Sequence, residues 1–286
     1  NLDCVSINEV KLGLKAGFLP ERILFTPNCV DLAEIEEAMA LNVHINIDNI
    51  SILEQFGTKY GDSYPVFLRI NPHIFAGGNY KISTGHIDSK FGISIHQMRH
   101  IERVMKSTNL NIEGLHMHTG SEIKDPEVFL QGLEIMFELS ESFPNLKYID
   151  MGSGFKVPYQ KGELETDVKA LGKKVEKAVA QFKKETGKDF ELWFEPGKYL
   201  VSKSGHFLVK SNVIKQTTAT VFVGVNSGFN HLIRPMFYDS YHIIENLTNP
   251  KGTERIYTVV GNICETDTFA WDRKLHEVRE GDVLVF

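Results

Sequence analysis

Ile149-Asp150-Met151-Gly152-Ser153-Gly154-Phe155 is followed, one β/α unit later, by Trp193-Phe194-Glu195-Pro196-Gly197-Lys198. Each stretch is a short apolar strand that runs straight into a turn of small residues. Two such turns in consecutive units belong on neighbouring loops at one rim of a parallel barrel. Bare backbone N–H groups at that rim hold phosphate-bearing ligands, because no side chain stands in the way.

Outward from these turns, short apolar strands alternate with amphipathic helices. The strands are expected at Leu2–Val5, Ile23–Phe25, Val43–Ile47, Val66–Ile70, Ile112–His116, Tyr148–Asp150 and Leu192–Phe194. Leu164, Val168, Leu171, Val175, Val179 and Phe182 recur every three or four residues and read as one helical stripe. Asp125-Pro126 ahead of Phe129, Leu133 and Met136 reads as a cap followed by proline at the first helical position. Alternation of this kind gives an α/β fold with parallel strands inside and helices outside. Seven β/α units are readable where a closed barrel takes eight, so one strand is expected ahead of Asn1.

After Val201 the texture becomes β-branched and aromatic, with strands expected at Phe207–Ile214, Ala219–Val225, Arg255–Val260 and Asp282–Phe286 and a turn at Asn249–Gly252. The expected organisation is a β/α barrel over residues 1–204 and a mostly β C-terminal domain over 205–286. The absence of an initiator methionine and the stop within a strand at Phe286 point to a chain that is partial at both ends.

Bulk properties exclude some classes of function. A net charge of -6, with no dense Lys/Arg stripe, argues against a nucleic-acid binder. No apolar run approaches the roughly 18 residues a membrane helix needs. No signal segment opens the chain, which favours the cytoplasm. Cys4, Cys29 and Cys264 lie far apart and form neither a disulfide framework nor a zinc pattern. Cys4 and Cys29 are expected in the core.

The strand ends expected at the rim carry Asp3, Arg69, His118, Ser121, Gly152–Gly154, Glu195 and Gly197. An imidazole, carboxylates, a guanidinium, a hydroxyl and bare glycine backbone suit a flat, charged, phosphorylated heterocycle. The motifs Leu2–Ser6, Leu68–Pro72, Ser89–Ile93, Gly114–Ser121, Met151–Phe155, Glu195–Lys198, Leu232–Tyr238 and Cys264–Asp267 resemble, in order, those of the alanine-racemase-like, barrel-type pyridoxal-phosphate decarboxylases. The resemblance is greatest to the branch that converts meso-2,6-diaminopimelate to L-lysine and CO₂.

That resemblance implies pyridoxal 5'-phosphate as cofactor and a set of roles. Glu195 bonds the pyridine nitrogen and keeps the ring protonated. His118 lies flat on the ring, while His116 points the other way along its strand and belongs to the core. Ser121, Gly152, Ser153, Gly154 and Gly197 hold the phosphate, with Ser153 standing where the family usually has glycine. Arg69 stands behind the residues that touch the cofactor, and Asp3 approaches its edge. Lys198 (arginine in most of the family), Arg234 and Tyr238 grip the distal carboxylate, and Glu265 takes the distal ammonium. Cys264 returns the proton to the carbanion. The functional unit is a homodimer in which Cys264 and Glu265 reach into the other subunit's site.

The residues by themselves leave plainer alternatives open. Glu195 could be a helix-start carboxylate, Asp3 and Arg69 a barrel-lining pair, Arg234 and Glu265 a solvated surface pair, and Cys264 an inert buried thiol. The family's Schiff-base lysine lies upstream of Leu2–Ser6, and no lysine in this sequence takes its place. The rival readings are a decarboxylase acting on ornithine, arginine or carboxynorspermidine, and a non-catalytic cofactor-binding relative.

Overall fold

A computed structural model describes residues 1–74, 83–123 and 125–286. The chain forms two compact units, Asn1–Lys156 with Glu165–Tyr199, and Val157–Leu164 with Leu200–Phe286.

In the first unit the strands are β1 (Leu2–Cys4), β2 (Ile23–Phe25), β3 (His44–Ile47), β4 (Val66–Asn71), β5 (Ile93–Ser94), β6 (Ile112–His116), β7 (Tyr148–Asp150) and β8 (Glu191–Trp193). All their pairings are parallel, in the order β1-β2-β3-β4-β6-β7-β8, with the two-residue β5 on the side of β4. Helices α1 (Ile7–Lys15), α2 (Leu32–Ala40), α3 (Ile50–Tyr60), α4 (Met98–Thr108), α5 (Glu127–Ser140) and α6 (Val168–Thr186) connect them. Local chemistry starts these helices. Ser6, Asp31, Asn49 and Asp167 each accept an N–H from the first turn, at 3.3, 3.0, 2.9 and 2.9 Å. Asp125 does the same for Glu127 ahead of α5, at 2.9 Å.

Alternation along each strand sorts the side chains. Cys4, Phe25, Ile45, Leu68, Leu115 and Ile149 join the apolar layer beneath the helices. Phe67, Arg69, His116 and Asp150 lie on the other side. There Phe67 stacks on Tyr148 and Trp193, each at 5.4 Å, and meets His44 edge-on. Gly114 is required for this plug, since a Cβ there would come within 2.3 Å of the Phe67 ring. The pairing shifts between Val66/Ile112 and Phe67/Gly114, so Glu113 is the extra residue of a bulge. Its buried carboxylate is satisfied by His44 at 2.9 Å and Lys147 at 3.2 Å.

One layer above the plug, Arg69, His116 and Asp150 are neighbours in register on β4, β6 and β7. Asp3 on β1 feels the charge of Glu195 just past β8. The two ends of the strand path are therefore curled toward one another, as a barrel wall requires.

The second unit contains β9 (Leu208–Gln216), β10 (Val221–Val225), β11 (Glu245–Asn246), β12 (Glu254–Val260), β13 (Thr268–His276) and β14 (Val283–Val285), in the order β11-β14-β9-β10-β12-β13. Only the β10–β12 pairing is parallel. Val209, Val223, Tyr257, Val259, Phe269 and Leu284 lie in its core. Two short helices, α7 (Gly197–Val201) and α8 (Arg234–Tyr238), complete the elements used below.

The expected strands fall within two residues of those observed. The long strand β13 escapes the sequence pattern because Asp272-Arg273-Lys274 interrupts its apolar run. Leu164 is a correction. It lies ahead of α6 and is 78% exposed, because the capping residue Asp167 starts the helix after it. Cys4 is buried as expected, but Cys29 is exposed, in the turn that leaves β2 with a positive φ. No helix among the described residues is long and apolar enough to cross a membrane.

Candidate active site

The two turns that open the sequence reading are laced together. Gly152 N–H donates to Asp150 Oδ1 at 2.8 Å, and Ser153 N–H donates to His118 Nδ1 at 3.3 Å. Ser153 Oγ donates to the carbonyl of Glu195 at 2.6 Å, while Glu195 N–H donates to the carbonyl of Gly152 at 2.8 Å. Gly154 has φ +100°, and a Cβ there would lie 2.0 Å from the Gly120 carbonyl oxygen. The small residues are thus required by backbone conformation and close approach. Gly197 differs, because a Cβ there would meet nothing within 4 Å. The N–H groups of Gly152 and Ser153 are taken by protein acceptors, whereas that of Gly154 makes no hydrogen bond among the described residues.

Above the aromatic plug the ionisable groups converge. His116 Nε2 lies 3.1 Å from Glu195 Oε1. One ligand-type atom each from His116, Asp150 and Glu195 falls within 4.8 Å of the others. Burial pushes the Glu195 carboxyl up to about 7, against the pull of Arg69. Burial, then the charge of Glu195, pushes Asp150 up to about 7. Asp3 keeps solvent access on one side, and the surrounding protein and Glu195 raise its carboxyl too. Burial holds His116 down to about 4, and burial with Arg69 and His116 holds His118 down to about 3. Both imidazoles are therefore neutral. Since Nδ1 of His118 accepts the Ser153 N–H, its proton sits on Nε2. Arg69 is 7% exposed and rests over the Phe91 ring at 4.7 Å. It is the cation of the cluster: burial lowers it, and Glu195, Asp48 and Asp3 support it.

His116 requires a correction. It is buried, as expected of a core residue, but it does not turn away from the site. His116 ends β6 and reaches Glu195, while His118, just beyond the strand, accepts the Ser153 N–H, so both face the turns after β7 and β8. Asp150 and His116 are the participants that motif reading missed. Asp150 was quoted within its motif, but nothing local marks it as a partner of Glu195.

Ser121 and Lys198 stand beside the glycine turns. Lys198 Nζ is 3.0 Å from Ser121 Oγ and also pairs with Glu122. Glu122 in turn binds Lys156 at 2.7 Å. Asp3, Arg69, His118, Ser121, Gly152, Ser153, Gly154, Glu195, Gly197 and Lys198 all belong to the first unit.

The other four expected residues belong to the second unit. Arg234 opens α8 with its guanidinium 5.1 Å over the Tyr159 ring, and Tyr238 closes α8. Cys264 and Glu265 are exposed on the loop between β12 and β13. Buried Asp267 shapes that loop: its carbonyl accepts Gly261 N–H at 2.8 Å and its own N–H reaches the Glu265 carbonyl at 2.9 Å.

Residues 1–202 match the model of the family described as pyridoxal-dependent decarboxylase, pyridoxal binding domain. A diaminopimelate decarboxylase of Methanothermobacter thermautotrophicus is 34% identical over 292 residues, covering 99% of this chain and 68% of the relative. A crystal structure of a diaminopimelate decarboxylase superposes with a TM-score of 0.91 at 32% identity, over 99% of this chain and 71% of that one. The Helicobacter pylori diaminopimelate decarboxylase complexed with L-lysine gives a TM-score of 0.88 at 30% identity, over 99% and 72%.

Proposed function

The chain belongs to the pyridoxal-dependent decarboxylases, and within them to the diaminopimelate decarboxylases. On that premise we propose that the intact protein, of which this chain is most, decarboxylates meso-2,6-diaminopimelate to L-lysine, the last step of lysine biosynthesis. The observation that carries the reading is the convergence of His118 and Glu195 on one glycine turn, each hydrogen-bonded to Ser153.

The residues fit the cofactor. Glu195 keeps partial solvent access, and its Oε2 makes no hydrogen bond among the described residues, which leaves a carboxylate oxygen for the pyridine nitrogen. His118 has its Nδ1 anchored and its ring neutral, which suits stacking on a cationic heterocycle. The Ser121 hydroxyl, the Gly154 amide and the open space at Gly197 suit the phosphate, with Gly152 and Ser153 shaping the turn. Arg69 and Asp3 complete the charge around the ring. When bound, pyridoxal phosphate supplies the electron sink that stabilises the carbanion left by CO₂.

The chain's own residues then bind and protonate. Lys198, Arg234 and Tyr238 hold the distal carboxylate of the substrate, and Glu265 its distal ammonium. Cys264 delivers a proton from Sγ to the carbon that lost CO₂. Cys264 and Glu265 act across a homodimer, each subunit completing its partner's site.

The test is CO₂ release by the full-length protein, with pyridoxal phosphate present, from meso-diaminopimelate, ornithine, arginine and carboxynorspermidine in parallel. The reading requires meso-diaminopimelate to exceed the others in kcat/KM by at least about a hundredfold, the discrimination that an unpaired distal charge imposes. Preference for a substrate without a distal carboxylate would reassign the enzyme within its group. Cofactor binding without turnover of any of the four would favour a non-catalytic relative.

A further inference from the structure

His116 is a buried histidine with no role in the chemistry outlined above. It is 0% exposed and contributes nothing to the apolar layer under the helices. Its Nε2 lies 3.1 Å from Glu195 Oε1, and its Nδ1 is buried with no hydrogen-bond partner among the described residues. An orphaned buried N–H costs more than an orphaned lone pair. The proton therefore belongs on Nε2, where it is donated to Glu195.

The donor comes from a rigid element. His116 ends β6, held by backbone pairing to Arg69 on β4 and to Asp150 on β7. Glu195, by contrast, sits on a loop just beyond β8, where its side chain has rotamers to choose among. One of its oxygens is fixed by His116, while the other has no hydrogen bond among the described residues. The charged and titratable groups around this pair are Asp3 from β1, Asp48 beyond β3, Arg69 from β4, His118 beyond β6 and Asp150 from β7. The charge of Glu195 raises the carboxyls of Asp3 and Asp150, and Arg69 is the cation among the described residues that acts on Glu195. A neutral donor aimed at Glu195 favours its anion without adding charge.

We propose that His116 is a positioning residue: its Nε2–H orients the Glu195 carboxylate and favours its ionised form, leaving the second oxygen for the ring nitrogen. The assignment rests on the reading of Glu195 as the carboxylate that meets the cofactor, and its test does not need the cofactor.

The test is the carboxyl titration of Glu195 by carbon NMR in protein without pyridoxal phosphate, assigned with Glu195→Gln, for the parent, His116→Leu and His116→Gln. Glutamine places an amide N–H near the imidazole Nε2 and keeps the donor. Leucine removes it. Glu195 should titrate about one unit higher in His116→Leu and return to within about half a unit of the parent in His116→Gln. An unchanged titration in His116→Leu overturns the proposal, as does a glutamine variant that behaves like leucine. Imidazole nitrogen shifts of the parent protein guard against variants that fail to fold: His116 should show the Nε2–H form, and an Nδ1–H form overturns the proposal without any substitution. The reading of Glu195 itself is scored separately. If Glu195→Gln binds pyridoxal phosphate as tightly as the parent, that reading fails, whatever His116 does to the titration.

Discussion

Ser153 Oγ donates a 2.6 Å hydrogen bond to the carbonyl oxygen of Glu195, joining the turn after β7 to the loop after β8. The return bond from Glu195 N–H to the Gly152 carbonyl closes the connection. A hydroxyl at this position ties down the backbone that carries Glu195, which a glycine would leave without that bond.

Ser153→Ala should therefore loosen the site with little change in packing. Losing one neutral hydrogen bond in a mostly buried setting costs about 1 kcal/mol. Urea unfolding should show a lower midpoint with an unchanged slope. A midpoint equal to that of the parent would mean the two turns hold their places without the hydroxyl.

Gly154→Ala should be far more damaging. The new Cβ would collide with the Gly120 carbonyl, at a φ that side chains rarely adopt. The combined strain and overpacking should cost about 2–3 kcal/mol. Gly172→Ala is the control. It lies in α6 with nothing within 4 Å, and should be neutral or stabilising by up to about 1 kcal/mol. Thermal unfolding of both variants checks the contrast, and equal losses would refute the steric account.

Glu195 should make the fold less stable as pH rises. Its folded pKa of about 7 lies above the ordinary 4.5, so the native state binds the proton more tightly than the unfolded chain. Its contribution is neutral below about pH 4 and becomes a growing penalty between pH 4.5 and 7, levelling off above. Removing the charge with Glu195→Gln should then stabilise the cofactor-free protein at pH 8, by about 3 kcal/mol at most, and leave stability at pH 4 nearly unchanged. His116 and His118 act in the opposite sense. Their depressed pKa values withhold protons that the unfolded chain would take, so their contributions strengthen the fold as pH rises to about 6.5, from about 4 for His116 and about 3 for His118. The difference between parent and variant reports Glu195 together with the lift its charge gives Asp3 and Asp150, and a stabilisation equal at both pH values would contradict it.

Lys198 should control substrate affinity more than turnover. Lys198→Met removes the ammonium beside Ser121, and KM for a substrate with a distal carboxylate should rise about 10- to 100-fold, the loss of one charge-assisted bond. Lys198→Arg should recover most of it. Steady-state kinetics decides, and a fall in kcat with KM unchanged would place Lys198 in the chemistry and not in the grip.

The barrel strands were legible because each is an apolar run bounded by a cap or a turn, as at Ile23–Phe25 and Tyr148–Asp150. β13 was not, because its charged centre hides the alternation. At the site, Glu195 and the glycines stood out by motif. His116 did not, since its function depends on a partner 79 residues away in the chain.

Sequence alone determined the β/α alternation, the cap at Asp125 ahead of α5, and the small-residue turns, because each follows from the conformational preferences of neighbouring residues. Tertiary structure decided which groups share a charge environment. Asp3, Arg69, His116, Asp150 and Glu195 meet only when parallel strands from distant parts of the chain stand in register, and their protonation is set by the burial and charges they then impose on one another.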